Sequence, residues 1–230
     1  SGLCRHGYLD HRPDLLALMS RLDEVIAHAR TVKGFMPDDE GRALVDAGLE
    51  AGRRTPGGTW LEVGAYCGKS ATYLGGAAEA SGSVLYSLDH HHGSEENQAG
   101  WEHHDTSLID PVDGRLNTLP LWQRAIADAQ LEATVIGLVG PSIVVARHFP
   151  VELDLLFIDG GHGHDVAWAD YYAWTPLVTE GGLLLIHDVF ENPADGGRPP
   201  FEIYCAALES GRFKELSATG SLRVLEALAA

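Results

Sequence analysis

Three short stretches hold residue types whose spacing can do chemistry. Leu61–Ser70 reads LEVGAYCGKS and contains the pattern E-x-G-x-x-x-G-x-S, set by Glu62, Gly64, Gly68 and Ser70. The apolar run Thr59–Val63 leads into that turn, and a second run, SVLYSL, ends in Asp89. Glycines between a strand and a helix let the backbone approach a ligand closely. An acid at the end of the following strand can accept hydrogen bonds from two ribose hydroxyls, so the stretch reads as a βαβ unit that binds a nucleoside. Leu153–His164, LDLLFIDGGHGH, ends an apolar run in Asp159 and places His162 three residues on. Gly181–Phe190, GGLLLIHDVF, ends its run in His187-Asp188.

The spacing of the first stretch narrows the ligand. A dinucleotide turn is G-x-G-x-x-G, whereas here the middle glycine is missing; a phosphate loop needs four residues before Gly-Lys-Ser, whereas three separate Gly64 from Gly68. A nicotinamide oxidoreductase or a nucleotide hydrolase on a similar fold is the alternative that these departures argue against. The other two stretches point to a cation. If their strands are neighbours, Asp159 and Asp188 face one cleft about 5 Å apart, the spacing of adjacent strands. Two carboxylates that close repel each other unless a proton or cation sits between them. Hard oxygen ligands suit Mg2+, with Mn2+ as a second choice. His187 is either a third ligand or an outer partner that holds a carboxylate or a water. His162 is placed to take a proton from a hydroxyl, with His187 as the rival base. A zinc site of His162, His164, His187 and an acid is the competing metal reading, disfavoured because no cysteine joins the set.

The elements that must position these residues follow from periodicity. Apolar side chains at helical spacing predict helices over Asp14–Arg30, with Pro13 in its first turn, and over Asp38–Ala51, capped by Asp38. From Thr59 onward strands and helices alternate. Strands are expected at Thr59–Val63, Ser83–Leu88, Thr134–Val139, Asp154–Ile158 and Leu183–Ile186, and helices at Lys69–Ala80, Leu119–Gln130, Ile143–His148 and His164–Leu177. A helix at Pro200–Ser210 and an antiparallel pair, Phe213–Ser217 with Ser221–Glu226, close the chain. The expected fold class is α/β, a Rossmann-like, seven-stranded, mostly parallel sheet with a C-terminal antiparallel pair. Residues 1–57 form an N-terminal helical extension, a lid, a dimer surface or simple packing, and residues 58–230 form the ligand-binding domain. Asp89–Thr118 shows no periodicity. A loop of that length beside the nucleoside turn is a candidate acceptor-binding or covering segment, with Trp101, His103 and His104 inside it and His164 beyond Asp159 as acceptor contacts.

Composition bounds the partners. The chain of 230 residues carries 33 acids against 16 bases, a net charge of −17. Such a surface repels phosphate backbones and argues against nucleic-acid substrates. Cys4, Cys67 and Cys205 are odd in number and far apart, which predicts a reducing, cytoplasmic setting rather than a disulfide framework. No apolar run reaches spanning length and no signal-peptide pattern opens the chain, so no membrane partner is expected.

From Thr59 to Asp188 the chain resembles the small, cation-dependent class I S-adenosylmethionine (SAM) O-methyltransferases. F-I-D-G-x-H at 157–162, the D-x-x-x-W of Asp170 and Trp174, and I-H-D at 186–188 are similar to the bacterial branch that includes sugar and natural-product enzymes. The segment HHHGSEENQAGWEHHD resembles actinobacterial members that act in methylmannose polysaccharide synthesis. The resemblance implies methyl transfer from SAM to a hydroxyl of a small acceptor, a sugar or mannoside, with a phenolic or other natural product as the alternative acceptor, and a homodimer. Glu62, Gly64 and Gly68 would line the methionine part of SAM, with Ala65, Tyr66, Ser70, His90 and Asp159 in the same cofactor site. Asp89 would bind the ribose, and Ser142 of the turn Gly140–Ser142 the adenine edge. Asp159 and Asp188 match the metal positions, and His162 stands where catechol O-methyltransferase carries a basic lysine. His187-Asp188 replaces the acid or amide pair of many relatives, which leaves direct ligation by His187 open.

Overall fold

A computed structural model describes residues 15–94, 97, 105–161, 163–192 and 194–229. The elements run α1 (Leu15–Thr31), α2 (Asp38–Arg54), β1 (Thr59–Val63), α3 (Lys69–Ser81), β2 (Val84–Asp89), α4 (Leu119–Asp128), β3 (Val135–Val139), α5 (Ser142–Ala146), β4 (Leu153–Ile158), α6 (His164–Trp174), β5 (Val178–Ile186), α7 (Arg198–Glu209), β6 (Phe213–Thr219) and β7 (Leu222–Ala227). The strands form one seven-stranded sheet in the order β3-β2-β1-β4-β5-β7-β6. β1 to β5 pair in parallel, and β7 runs antiparallel to both β5 and β6. The expected fold class therefore stands.

β1 and β4 are central and covered on both faces, which is why TWLEV and LDLLFI read as near-continuous apolar runs rather than alternating ones. One core layer joins α1, α2, α3 and α4 to the sheet through Val25, Leu44, Trp60, Leu74 and Trp122. The other packs α5, α6 and α7 on the opposite face through Leu61, Trp174, Leu184 and Ile203. The two helices of the N-terminal extension thus share a core with the helix that follows the glycine turn. α2 lies close against α3: a Cβ on Gly41, Gly48 or Gly52 would fall within 2.7 Å of Tyr73, Ala77 or Ser81. Among the described residues no helix is long and apolar enough to cross a membrane.

Some expectations change at their edges. The cap position of α2 is Pro37, and Asp38 is the first helical residue without a side-chain capping bond. It joins Asp39 and Glu40 in an acidic first turn, where carboxylates complement the helix dipole. Pro13 lies outside the described residues. The helix expected over His164–Leu177 stops at Trp174 and tightens into a 3-10 turn at Thr175–Leu177, because Pro176 cannot donate to the helical ladder. β5 begins at Val178, passing through Gly181-Gly182, with a register irregularity against β4 that absorbs the glycines. The Asp89–Thr118 segment contains a 3-10 turn at Thr106–Leu108 and a bridge between Ile109 and Leu116.

Candidate active site

The parallel register builds the site. Val63 pairs with Leu88 on one side and with Ile158 on the other, and Ile158 pairs with Ile186. The next residue on each strand is Gly64, Asp89, Asp159 and His187. The ladder continues through them: Gly64 N donates to Leu88 O (2.9 Å), Asp159 N to Val63 O (2.9 Å) and His187 N to Ile158 O (3.1 Å). Four chemistry-bearing positions from four strands therefore stand in one row along the carboxyl edge, the ligand edge of an open parallel sheet.

Gly64 and Gly68 both have left-handed backbones, φ +92° and +93°. At Gly64 a Cβ would sit 2.2 Å from the Asp159 carbonyl oxygen, so the turn and the loop after β4 touch only because this residue has no side chain. Asp89 holds the same turn from the other side. Its Oδ2 accepts from the amides of Ala65 (2.9 Å) and Tyr66 (2.8 Å), and its Oδ1 from His91 N (2.7 Å). Tyr66, His91 and Asp188 are non-glycine residues at positive φ, and all three lie at the carboxyl ends of strands. Backbone strain held in this way clusters where ligands are gripped. Ser70 is buried in the first turn of α3, whereas His90 is exposed, accepts from His92 N on its Nδ1 and stacks on the His92 ring. Leu108 and Leu116 pack with Cys67 and Tyr66, so the described end of the long loop lies against the glycine turn.

Glu62 lies beneath that turn and is fully buried. Its Oε2 accepts a 2.6 Å bond from Ser87 Oγ, which in turn receives Trp122 Nε1 at 3.0 Å, while Oε1 has no partner within hydrogen-bonding distance. Burial, reinforced by the charges of Asp159 and Asp89, pushes its carboxyl up to about 8 against the opposing influence of the nearby Ser70 and Ser87 hydroxyls. Ser142 opens α5. It receives Trp174 Nε1 on its Oγ at 2.8 Å, and its bond to the buried Asp170 partly offsets the burial that pushes that carboxyl up to about 6. The D-x-x-x-W residues thus fix the turn that follows β3. Asp170 also lies under the loop after β4, since a Cβ on Gly160 would come 3.0 Å from its Oδ2.

At the centre of the edge, ligand atoms of Asp159, His187 and Asp188 all lie within 4.8 Å of one another. β4 and β5 are neighbours, as the two acids require. His187, not Asp188, stands in register beside Asp159. Asp188 leaves the extended conformation (φ +55°), which breaks the side-to-side alternation of a strand and lets consecutive side chains serve one site. His187 Nδ1 lies 2.9 Å from Asp159 Oδ1 and 3.5 Å from Asp188 Oδ2. Its Nε2 meets Glu40 Oε2 at 2.6 Å. Burial alone would lower the imidazole, but the carboxylates of Asp159, Asp188 and Glu40 outweigh it and hold His187 well above its ordinary value. Glu40 is also buried; burial works to raise it, and its bonds from His187 and the Ser221 amide win and lower it. Two carboxylates and an imidazole facing one point are a donor set that fits a divalent cation.

Glu40 is the site residue that the sequence reading missed. A signal was present: it falls on the apolar stripe of α2 with Leu44, Ala47 and Ala51, where a charge needs a buried partner. His164 opens α6 as an exposed ring beside Asp165 and, more distantly, Glu202, and is not a member of the Asp159–His187–Asp188 cluster. His162, Trp101, His103 and His104 lie outside the described residues.

Residues 61–189 match a family model described as a methyltransferase domain. That span is more than half of the chain and includes every strand end in the row, so the chain belongs to this family and is a methyltransferase. Solved structures with the same fold include the O-methyltransferase NovP, at 12% identity and a TM-score of 0.68, covering 93% of this chain and 99% of that one. An O-methyltransferase from Bacillus cereus in complex with SAH is similar at 16% identity, a TM-score of 0.59 and coverage of 94% and 93%. SAH-bound PaMTH1 of Podospora anserina is similar at 15%, 0.59, and 91% and 88%.

Proposed function

We propose that this protein transfers a methyl group from SAM to a hydroxyl of a small polar acceptor, a sugar, at a divalent cation site of Asp159, His187 and Asp188. The observation that carries the reading is the row of strand ends. It sets the glycine turn and Asp89, a nucleoside grip, beside an acid–imidazole–acid cluster that nucleoside binding does not need. Two of the similar structures hold SAH, which supports SAM as the methyl donor. The sugar rests on the resemblance of segment 90–105 and on its polar, His- and Trp-bearing composition.

Each residue then has a task. Gly64 and Gly68 keep the turn bare so that the methionine part of SAM lies on the backbone. Asp89 locks that turn through the Ala65 and Tyr66 amides and accepts from the ribose hydroxyls. Without a cation, the His187 imidazole, held well above its ordinary value by the carboxylates it faces, supplies positive charge among Glu40, Asp159 and Asp188. Asp159, His187 and Asp188 would hold Mg2+ or Mn2+, which would supply the Lewis-acid charge that lowers the pKa of the acceptor hydroxyl. His162, three residues after Asp159, takes the hydroxyl proton as general base. The acceptor oxygen gains the methyl group, SAM becomes its demethylated product, and one proton is released.

Calorimetry with SAM, its demethylated product, NAD and ATP tests the donor. A labelled-methyl assay over sugars and phenols, with EDTA and then added Mg2+, tests the rest. Expected are micromolar-range binding of SAM and product alone, and sugar methylation lost on chelation and restored by Mg2+. Tight NAD or ATP binding without SAM binding overturns the donor reading. Full turnover after exhaustive chelation overturns the cation, and methylation confined to phenols overturns the sugar.

A further inference from the structure

Glu40 comes from the N-terminal extension, 147 positions before the imidazole it meets. Both of its carboxylate oxygens are engaged: Oε1 accepts from the Ser221 amide, and Oε2 faces His187 Nε2 at 2.6 Å. Glu40 and the His187 ring are both buried, at 4% and 5% exposure, so neither can turn to water for another partner. The close packing of α2 on α3, through Gly41 and Tyr73, fixes where the carboxylate sits.

An ionised carboxylate only accepts hydrogen bonds, so the nitrogen opposite it carries a hydrogen. In a neutral imidazole the other nitrogen is then bare. Here that other nitrogen is Nδ1, which points at Asp159 Oδ1 and Asp188 Oδ2. A bare lone pair facing two carboxylates is repelled by both unless something positive lies among them. Metal-bound histidines commonly donate their second N–H to a carboxylate in this way, which fixes both tautomer and ring orientation.

We infer that Glu40 is a positioning residue of the metal centre: by holding Nε2–H of His187 it presents Nδ1 as the third protein ligand beside Asp159 and Asp188, and it makes the N-terminal extension part of the site. The inference rests on the cation reading above. It answers the question left by the sequence, whether His187 ligates directly, and assigns the nitrogen. A purely structural Glu40 would tie α2 to the β6–β7 turn through Ser221 and leave metal affinity unchanged.

The test measures binding rather than turnover. Mn2+ calorimetry is run on the wild-type protein, Glu40→Ala and Glu40→Gln, with thermal melting of the metal-free proteins alongside. The expected loss in affinity for Glu40→Ala is about 10–100-fold, the usual effect of removing such a partner. Glu40→Gln recovers part of it, because its amide oxygen still accepts from Nε2–H. Independently, long-range proton–nitrogen spectra of 15N-histidine-labelled wild type with Mg2+ are expected to show His187 protonated at Nε2 and bare at Nδ1; this reading stands even if Glu40→Ala does not fold. Equal Mn2+ affinity in wild type and Glu40→Ala, or a bare Nε2 in the Mg2+-loaded protein, overturns the inference and leaves the cation site standing. No Mn2+ binding to wild type overturns both.

Discussion

Replacing Glu62 by Gln is expected to change how stability depends on pH. The carboxyl is fully buried, accepts one bond from Ser87 and leaves Oε1 without a partner; its value rises from an ordinary 4.5 to about 8. Between those values the folded protein keeps a proton that the unfolded chain has lost. The folded state binds more protons there, so stability falls as pH rises across that window. Each pH unit inside it costs about 1.4 kcal/mol. From pH of about 5.5 to about 7.5 the wild type therefore loses about 2.7 kcal/mol more than Glu62→Gln, in which nothing titrates at this position. Every other group is common to both proteins, so the difference in slope isolates Glu62. Absolute stability is the poorer readout, because the new amide brings an N–H that needs an acceptor where Oε1 has none. Urea unfolding of the cation-free proteins at three pH values measures it. Parallel stability–pH lines would refute the reasoning, since they would mean that Glu62 is ionised in the fold or already solvated.

Asp89→Ala removes the acceptor of the Ala65, Tyr66 and His91 amides and is expected to weaken SAM binding by about 1–3 kcal/mol, the cost of unpaired polar groups, read by calorimetry. Gly64→Ala forces a Cβ to 2.2 Å from the Asp159 carbonyl oxygen at φ +92° and is expected to lower the melting temperature and weaken SAM and Mn2+ binding together; wild-type values for all three would contradict the packing. Asp159→Ala and Asp188→Ala are each expected to abolish Mn2+ binding and turnover together, and either one retaining cation-dependent activity would remove that acid from the site. Because His187 is held well above 6.5, its stabilisation of the cation-free fold is complete below that value and is lost as pH rises through the raised native one. A cation on the imidazole must displace that proton, so Mn2+ affinity is expected to rise with pH in calorimetry, and a pH-independent affinity would count against ligation by His187.

Much of this protein was legible along the chain. TWLEV, the glycine turn and the alternation that follows are local signals: apolar runs of strand length, residues that tolerate a left-handed backbone, and a helical period. They placed Gly64, Asp89, Asp159 and His187-Asp188 at the ends of strands, which in a parallel sheet is already the ligand edge. What the sequence could not carry was which atoms meet. The order β3-β2-β1-β4-β5-β7-β6 and its register put His187 rather than Asp188 beside Asp159. The same packing turned Asp89 onto the amides of Ala65 and Tyr66 and buried Glu62 against Ser87. Glu40 reads locally as one acid of a helix's first turn, and its place on the apolar stripe of α2 says that it needs a buried partner but not which one. Its pairing with His187 arises only when α2 settles against α3 and the sheet. Local propensity is decided within a few residues, whereas a contact across 147 positions is decided by how whole faces pack, and no window along the chain contains both partners.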